Sequence, residues 1–302
     1  MGPELRHLRY LIAVAEHGNF TRAAEELRIS QPTLSQQIKQ LERVVGVQLL
    51  DRSGRGVRPT DAGEAYVHYA RRALRELAAA DRAVLDVADL SRGHLRLAVT
   101  PTFTAYLIGP LVEALHTQYP GVTLDLREMT QDRIEASLLA DDLDLGIAFA
   151  GTHLPGITAT ALFTETLSLV VTTDRARERG DRPLPVRDLA DQQLALLSSD
   201  FATRTHIDGY FATHRVSPPI AVEANTIQAL TEIVRRTGLL ATVLPDAVTD
   251  DHPHLGPIPI DPPLPARVAT LLHRESAYES AAARAFTRLA RDLVGTRGYA
   301  PA

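Results

Sequence analysis

The sequence has 302 residues and no cysteine, which rules out disulfide bonds and metal sites built from thiolates. It has no apolar run long enough to cross a bilayer, so we expect neither a transmembrane helix nor a membrane partner. The N-terminal stretch lacks a small-residue cleavage site, and Glu16 lies within a continuing amphipathic pattern. That stretch therefore predicts a helix and not a signal peptide, and a cytoplasmic protein is expected.

The motifs of common enzyme classes are also missing. There is no Gly-rich phosphate loop of Walker type, no G-x-S-x-G and no H-E-x-x-H, and the eleven histidines are scattered. The segment from Asp250 to His254 brings two histidines together, but a solvated acidic loop explains it better than a metal site does. We predict that the protein is not an enzyme and that it holds no metal and no cofactor.

Charge is distributed unevenly along the chain. Residues 1–75 carry 12 Lys+Arg and 8 Asp+Glu, a net charge of +4, whereas residues 76–302 carry 20 and 29, a net charge of −9. Together they give the overall −5. A basic N-terminal part on an acidic body indicates a polyanionic partner for the N-terminal part only.

The segment Phe20–Glu42 is the most informative of the chain, since it predicts two short helices joined by a tight turn. One stripe of the second helix is apolar, with the spacing i, i+4, i+7 and i+11: Leu34, Ile38, Leu41 and Val45. The opposite side is polar and has no acid until Glu42: Pro32, Gln36, Lys39 and Arg43, flanked by Thr33, Ser35 and Gln40. Such a helix suits the major groove of double-stranded DNA, where amides and cations meet base edges and phosphates.

Local signals set the limits of the neighbouring elements. A first amphipathic helix is predicted from Glu4 to His17, and Thr21 is expected to cap the second helix. Ser30 is expected to cap the third helix, which has Pro32 in its first turn and ends before Gly46. Leu49–Thr60 then predicts a small β-hairpin around a Gly-rich turn. Three arginines lie on it and are suited to phosphates or a minor groove, as in a DNA-binding wing: Arg52, Arg55 and Arg58.

A long helix is predicted from Asp61 to about Leu90. Its apolar residues recur at spacings of three and four, close to a heptad period: Tyr66, Tyr69, Ala73, Leu77, Ala80, Val84 and Val87. Thirty helical residues extend about 45 Å. So long an apolar seam is not buried by the small N-terminal part alone, and we expect it to pair with a second copy of the chain.

The remainder alternates strands and helices, which predicts an α/β body with largely parallel sheets. The strands expected are His94–Val99, Val122–Arg127, Leu143–Phe149, Leu167–Thr172, Leu194–Leu197, Ile220–Ala224, Leu239–Leu244 and Arg267–Leu272. The helices expected are Phe103–Tyr119, Gln131–Ala140, Thr203–Thr213, Ile227–Thr237 and Tyr278–Val294, and the Pro-rich Ile258–Pro265 is expected to be an extended connector.

These features together resemble the LysR-type transcriptional regulators over the whole chain. The resemblance rests on the Phe20–Glu42 segment, the wing, Thr60-Asp61-Ala62-Gly63 and the strand that begins Gly93-His94-Leu95-Arg96. The likeness is greatest to the cyanate-operon regulator branch, and four stretches carry it: Val99–Ile108, Asp144–Ala150, Leu197–Arg204 and Glu223–Asn225.

The resemblance implies a fold and an assembly. It implies a winged helix-turn-helix DNA-binding domain at 1–60, a dimerising linker helix at 61–91 and a two-lobed α/β effector-binding domain, like periplasmic binding proteins, at 92–302. Lobe I would comprise about 92–163 and 267–302 and lobe II about 164–266, with crossings near Thr164 and Ala266. Members of the family usually bind an interrupted inverted repeat as dimers of dimers and act with RNA polymerase.

Two sets of site residues follow. Base-edge contacts are expected from Gln31, Pro32, Ser35 and Gln36, and contacts to phosphates or the adjacent minor groove from Thr21, Thr33, Lys39, Arg52, Arg55 and Arg58. A merely solvated surface is the alternative. Many relatives carry arginine where this chain has Gln36, so its preferred half-site is expected to lean away from guanine at that position.

An effector cleft is expected where helices begin after strands in the two lobes, since hydroxyls and free N–H groups there suit an anion. Its residues would be Thr100, Thr102, Phe103, Thr130 and Phe149 in the first lobe, and Phe201, Thr203 and Arg204 in the second. For each threonine a simple N-cap is the alternative. The branch resemblance implies cyanate or a similar small anion as effector. Two alternatives stay open: a different small organic acid, and a solute-binding protein with an unrelated head.

Overall fold

The computed structural model describes residues 2–54, 56–86, 93–250, 252–297 and 299–300, without the side chains of 79 and 81–86. Its contacts divide the chain into two compact units, Met1–Val87 and Ala88–Ala302, which are described separately. No helix in the described ranges combines the length and apolarity needed to cross a membrane.

The first unit, which we call the head unit, is a three-helix core followed by a hairpin and a long helix. Its elements are α1 (Leu5–His17), α2 (Phe20–Glu26), α3 (Gln31–Val45), β1 (Leu50–Asp51), β2 (Arg58–Pro59) and α4 (Asp61–Asp86). The apolar stripe of α3 is fully buried at Leu34, Ile38 and Leu41 and packs with Leu11 and Val14 of α1. The period-3.6 pattern thus places the polar side of α3 outward.

The ends of α2 and α3 follow their capping residues. Ser30 caps α3 by accepting the N–H of Thr33 at 3.3 Å, and Gly46 ends it in the left-handed region at φ +81°. The expectation that Thr21 caps α2 is wrong, because the helix already begins at Phe20 and Thr21 lies within its first turn. Asn19 is the cap, and its Oδ1 accepts the N–H of Thr21 at 2.8 Å.

The predicted wing forms as the antiparallel pair β1–β2, and it is fastened to the start of α4. The Thr60 hydroxyl donates to the carbonyl of Gln48 at 2.8 Å and accepts the N–H of Gly63 at 3.0 Å. Gly63 is required there, because a Cβ at this position would lie 1.9 Å from the carbonyl oxygen of Leu49. The Thr60–Gly63 motif therefore joins hairpin and helix at a distance that only glycine permits.

The second unit, which we call the effector unit, begins with a five-stranded sheet in the described part of the chain, in the order β4-β3-β5-β14-β6. Its strands are β3 (Gly93–Val99), β4 (Val122–Glu128), β5 (Leu145–Phe149), β6 (Ile157–Glu165) and β14 (Arg267–Arg274). The helices of this lobe are α5 (Pro101–Thr104), α6 (Ile108–Gln118), α7 (Gln131–Leu139) and α12 (Ala281–Thr296). A shared apolar core lies between the sheet, α6 and α12.

The chain between β6 and β14 forms the other sheets. The strands are β7 (Leu167–Thr172), β8 (Leu184–Pro185), β9 (Leu194–Leu197), β10 (Ile220–Ala224), β11 (Thr242–Pro245), β12 (Leu255–Ile258) and β13 (Ile260–Asp261). The helices are α8 (Thr173–Arg179), α9 (Ala202–His214), α10 (Ile227–Thr237) and α11 (Ala247–Asp250), with a 3₁₀ turn at Val186–Asp191. β7 lies between β11 and β12, and β9 pairs with β10.

The expectation of largely parallel sheets is only partly right. β4, β3 and β5 are parallel, as are β9 and β10, but β14 runs antiparallel to β5 and β6, and β7 antiparallel to both its neighbours. β6 was not predicted from the sequence, because its alternating Thr and Ala residues give a weak signal that is typical of an edge strand.

Two further expectations differ in detail. The single helix expected at Phe103–Tyr119 is two helices, since Pro110 has no N–H to donate to the carbonyl of Tyr106. The connector expected at Ile258–Pro265 contains β13, which pairs with β8.

Candidate DNA-binding surface and effector cleft

The outward side of α3 is polar and open. Gln31, Gln36 and Lys39 are exposed, and none of their side chains has a hydrogen-bond or ion-pair partner among the described residues. Pro32 is exposed as well, and Ser35 is half-buried. This side therefore presents amide groups and a cation that are free to bind a ligand without breaking an internal contact.

The neighbouring amide of α3 has a different environment. Gln37 faces α1, where its Oε1 lies 3.0 Å from Nε2 of the buried His7. Nδ1 of His7 accepts the N–H of Glu4 at 3.1 Å, so Nε2 carries the proton and donates to Gln37. Gln36 and Gln37 are adjacent in sequence, but only Gln36 is available to DNA.

Glu42, the acid that ends the polar side of α3, is turned toward the wing. Its Oε1 accepts the N–H groups of Leu49 and Leu50 at 3.0 and 3.1 Å, and its Oε2 accepts from Arg52 at 3.0 Å. The Arg52 guanidinium also lies over the ring of Phe20, 5.2 Å from its centre. Arg52 is thus held within the head unit, and its predicted phosphate contact requires that it leave or share this carboxylate.

The other predicted DNA contacts are distributed around α3. Thr21, Thr33 and Arg58 are exposed. The Thr33 hydroxyl lies 2.7 Å from that of Ser30, in the cap. Arg55 lies outside the described residues, so its predicted contact stays a prediction.

In the effector unit, the helix starts at α5 and α9 meet directly. The hydroxyls of Thr102 and Thr203 lie 2.9 Å apart, and both residues are buried. Arg267 donates from Nη1 to the Thr203 hydroxyl at 2.9 Å. Either hydroxyl can donate in the bond between them, and one hydrogen-bonded chain from Arg267 through Thr203 to Thr102 joins the predicted site residues of the two lobes.

Arg267 is a buried cation at this contact that was not predicted from the sequence. Its Nε donates to Glu165 at 2.6 Å, and its guanidinium carbon lies 3.8 Å from the centre of the Phe149 ring. Glu165 also accepts a hydrogen bond from Tyr106. Burial raises the pKa of the Tyr106 phenol well above its ordinary value, and the Glu165 carboxylate adds to that rise, so Tyr106 remains a donor. A signal was present: Glu165 and Arg267, of opposite charge, directly follow the predicted crossings.

Arg204, the predicted cation, has its charge balanced elsewhere. It donates to Asp208 at 2.9 Å, to Glu223 at 2.7 Å and to the carbonyl of Leu197 at 2.9 Å. Burial acts against its charge, but the hydrogen bonds to Glu223 and Asp208 outweigh burial and raise its pKa. Its predicted contact with the effector would have to compete with these carboxylates.

The remaining predicted residues form the walls around this chain of contacts. Phe103 packs on Phe149 with ring centres 4.8 Å apart. Gln131 holds Phe149 by accepting its N–H at 3.2 Å and donating to its carbonyl at 3.1 Å. Thr130 and Phe201 occupy the N-cap positions of α7 and α9, and neither side chain accepts a hydrogen bond from its helix. The alternative that Thr130 serves as a simple side-chain N-cap is therefore not supported.

Two observations near the start of α5 point to a ligand. The Thr100 hydroxyl is buried and has no hydrogen-bond partner in the part of the chain that the structure describes. The next residue, Pro101, lines a cavity of about 310 Å³ between α5 and the start of α10, together with Thr104, Ala105, Glu128, Thr226, Ile227, Gln228, Thr231 and His252. None of the predicted effector residues lines this cavity. Thr226 caps α10 by accepting the N–H of Ala229 at 3.2 Å, and Ile227 and Gln228, which follow it, also line the cavity.

No three histidine, aspartate or glutamate side chains in the described ranges are grouped so that they would hold a metal ion. In the loop considered for a metal site, the ring of His252 pairs with the carbonyl of Val248 at 2.8 Å.

Comparison with known proteins accounts for both units. The sequence profile of the bacterial regulatory helix-turn-helix proteins of the lysR family matches residues 5–64, and the profile of the LysR substrate binding domain matches residues 88–295. The nitrogen assimilation regulatory protein nac of Klebsiella aerogenes is 34% identical over 244 residues, which cover 80% of this chain and 78% of that protein.

Solved structures agree over nearly the whole length. Full-length OxyR from Pseudomonas aeruginosa has a TM-score of 0.70 and 25% identity, covering 96% of this chain and 94% of that one. Full-length CbnR complexed with its target DNA has a TM-score of 0.55 and 27% identity, covering 96% and 99%. The expectation that the protein is not an enzyme is confirmed, because the family and these relatives are regulators. The chain belongs to the LysR family and is a DNA-binding transcriptional regulator.

Proposed function

We propose that this regulator binds an interrupted inverted repeat in double-stranded DNA through α3 and the wing, and that a small anion in the effector cleft modulates its activity with RNA polymerase. Action on DNA implies a cytoplasmic location. The observation that carries the DNA contact is the open side of α3, where Gln31, Gln36 and Lys39 have no internal partner among the described residues. A bidentate amide at Gln36 suits adenine, and the ring of Pro32 suits a thymine methyl group.

The DNA contact is tested by anisotropy titrations of the full chain with its own upstream promoter region at several salt concentrations. Gln36→Ala should reduce discrimination between the operator and a variant half-site by about 1–3 kcal/mol. Lys39→Ala should weaken binding to both sequences alike and lower the salt slope by about 1. Equal losses of discrimination in the two variants would contradict this division of roles.

We further propose a dimer through α4 and a dimer of dimers on DNA. Tyr69 is 66% exposed and Leu77 is 43% exposed, and both lie on the predicted apolar seam. Large apolar side chains on one face of a helix favour burial against a second copy. Leu77→Glu should shift the chain toward monomer in sedimentation, whereas the exposed Glu76→Gln should leave its mass unchanged.

The effector proposal rests on the buried, unpartnered Thr100 hydroxyl and on the cavity at two helix starts that the next residue, Pro101, lines. Hydroxyls and helix N-termini favour an anion. A ligand that reaches Thr102 or Thr203 replaces their mutual hydrogen bond and so changes what joins the lobes. Effector binding would then bias the arrangement of the lobes and, through it, the DNA-binding heads.

Cyanate is the first compound to test, because the likeness to the cyanate-operon branch suggests it. The cavity volume of about 310 Å³ is at the low end for small-molecule sites and far exceeds the size of a three-atom anion. That volume favours the alternative effector, a small organic acid.

The test titrates cyanate and a series of small carboxylic acids while recording the DNA footprint and thermal melting. The active compound should shift both measurements in the wild type and neither in Thr203→Val. If no anion shifts either measurement, the effector proposal is wrong. If cyanate has no effect and an acid shifts both, the cyanate assignment alone is wrong.

A further inference from the structure

The effector unit has another cavity, at the end of the five-stranded sheet away from the cleft. It has a volume of about 340 Å³ and lies between α12 and the strands β5, β6 and β14. β5 begins at Leu145, which lines this cavity, and ends at Phe149, which contacts Arg267. Four residues of strand separate the two places by about 13 Å, so the cavity is distinct from the effector cleft.

Three arginines of α12 border this cavity, which we call the α12 groove. Arg284, Arg288 and Arg291 are spaced i, i+4 and i+7, so they share one side of the helix, and all three are exposed. Arg288 and Arg291 have no ion-pair or hydrogen-bond partner in the described ranges. Arg284 donates to the main-chain carbonyl of Glu279, which leaves its charge without a carboxylate.

The rest of the lining adds little negative charge. Glu279 is its one carboxylate among the described residues, and the His273 imidazole and two threonine hydroxyls, Thr160 and Thr287, complete the polar lining. Asp292 follows Arg291 on the exposed surface of α12 but does not line the groove. Guanidinium groups outnumber carboxylates there three to one, although residues 76–302 as a whole carry a net charge of −9.

We propose that the α12 groove binds a small polyanion that carries two or more carboxylate or phosphate groups. The planar donors of arginine match both groups in bidentate geometry, and several arginines on one helix side suit several anionic groups in one ligand. The volume fits a small molecule. The acidic surroundings repel a long polyanion such as DNA, which would extend beyond the groove. This site is independent of the effector proposed for the cleft.

The test is calorimetry on the full chain at low ionic strength, with pyrophosphate, citrate and inorganic phosphate as probes. Pyrophosphate or citrate should bind at least tenfold more tightly than inorganic phosphate. The double variant Arg288→Ala/Arg291→Ala should weaken that binding at least tenfold, and the matched control Arg187→Ala, whose side chain is 86% exposed, should change it less than twofold. Thr102→Val in the cleft should leave it unchanged.

Because the head unit is also basic, hydrogen exchange locates the bound probe. Protection of residues 281–296 by pyrophosphate, present in the wild type and lost in the double variant, supports the proposal. Protection confined to residues 20–60, or equal affinity in the double variant and the wild type, overturns it. Thermal melting checks the fold, and a double variant that melts as the wild type does makes the affinity comparison decisive.

Discussion

The polar groups of the DNA-binding surface and those of the effector cleft are in opposite states. On α3 the amides of Gln31 and Gln36 and the ammonium of Lys39 have no partners in the described structure. In the cleft, Thr102, Thr203 and Arg267 are buried and hydrogen-bonded to one another or to Glu165. The first surface can take a ligand as it stands, whereas a ligand that reaches Thr102 or Thr203 must displace an existing contact. The contrast suits the proposed function, in which the polar side of α3 contacts DNA directly and the response to a small anion requires a rearrangement of the cleft.

The strongest test of this contrast removes one cation from each surface. Arg267→Ala leaves the buried Glu165 without its counter-ion and should destabilise the effector unit by about 3–5 kcal/mol. Lys39→Ala removes an exposed, unpaired charge and should change stability by less than about 0.5 kcal/mol. Chemical unfolding followed by circular dichroism measures both. Similar small losses would mean that the cleft network contributes little.

Glu42, in the head unit, is like the cleft residues in that its carboxylate oxygens are hydrogen-bonded within the protein. Glu42→Ala leaves the N–H groups of Leu49 and Leu50 without their acceptor and frees Arg52, so it should cost about 1.5–3 kcal/mol. The exposed Glu25→Ala, on α2, is the matched control and should cost less than about 0.5 kcal/mol. Unfolding of the head unit, monitored by hydrogen exchange across residues 5–60, distinguishes them. Equal costs in the two variants would contradict the assigned role.

The central position of Thr203 in the hydroxyl chain can be tested by a matched pair. Thr203→Val removes the acceptor of Arg267 and the hydrogen-bond partner of Thr102, and should cost about 1–3 kcal/mol. Thr102→Val removes only one partner of Thr203 and should cost about 1 kcal/mol. Thermal unfolding of both variants gives the order. A larger loss for Thr102→Val would contradict the central position of Thr203.

The smallest effect expected is a dependence of stability on pH that arises from His206 on α9. Burial lowers the pKa of His206 from its ordinary 6.5, although its hydrogen bond to the carbonyl of Pro265 opposes that shift. The unfolded chain then binds more protons, so stability should fall as the pH drops through about 6.5 and below. His206→Gln should flatten this dependence in melting curves between pH 5 and 8. An unchanged slope would exclude His206 as its source.

The head unit could be predicted from sequence more fully than the cleft, for physical reasons. The caps and stripes of α3 are local, so Ser30, Leu34 and Gly46 predict their own roles. The contact between Thr203 and Arg267 joins residues 64 apart, and that between Glu165 and Arg267 joins residues 102 apart. Contacts between residues so far apart in sequence cannot be predicted from the periodicity of the chain. The sequence did indicate that Thr102 and Thr203 face one site, because each lies at a helix start after a strand.

Tertiary context outweighs local signals at three places in the chain. The sequence of β6 gives only a weak strand signal, yet this segment is a strand because it pairs with eight residues of β14. Arg204 was expected to be a cation of the cleft although Asp208, at i+4 on the same helix, was a recognisable partner; its second partner, Glu223, lies 19 residues away and is not signalled by any local spacing. Similarly, the capture of Arg52 by Glu42 depends on how the hairpin folds back on α3.

The tight junction at Gly63 has a mechanical consequence. With the α4 backbone in van der Waals contact with the carbonyl of Leu49, the hairpin and the first turn of that helix cannot pivot independently. Any tilt imposed on the long helix by a change in subunit geometry is therefore transmitted to the hairpin as a rigid lever. Arg58, on β2, would move with that lever, and in the proposed dimer the angle between the paired helices would set how deeply it reaches beside the DNA.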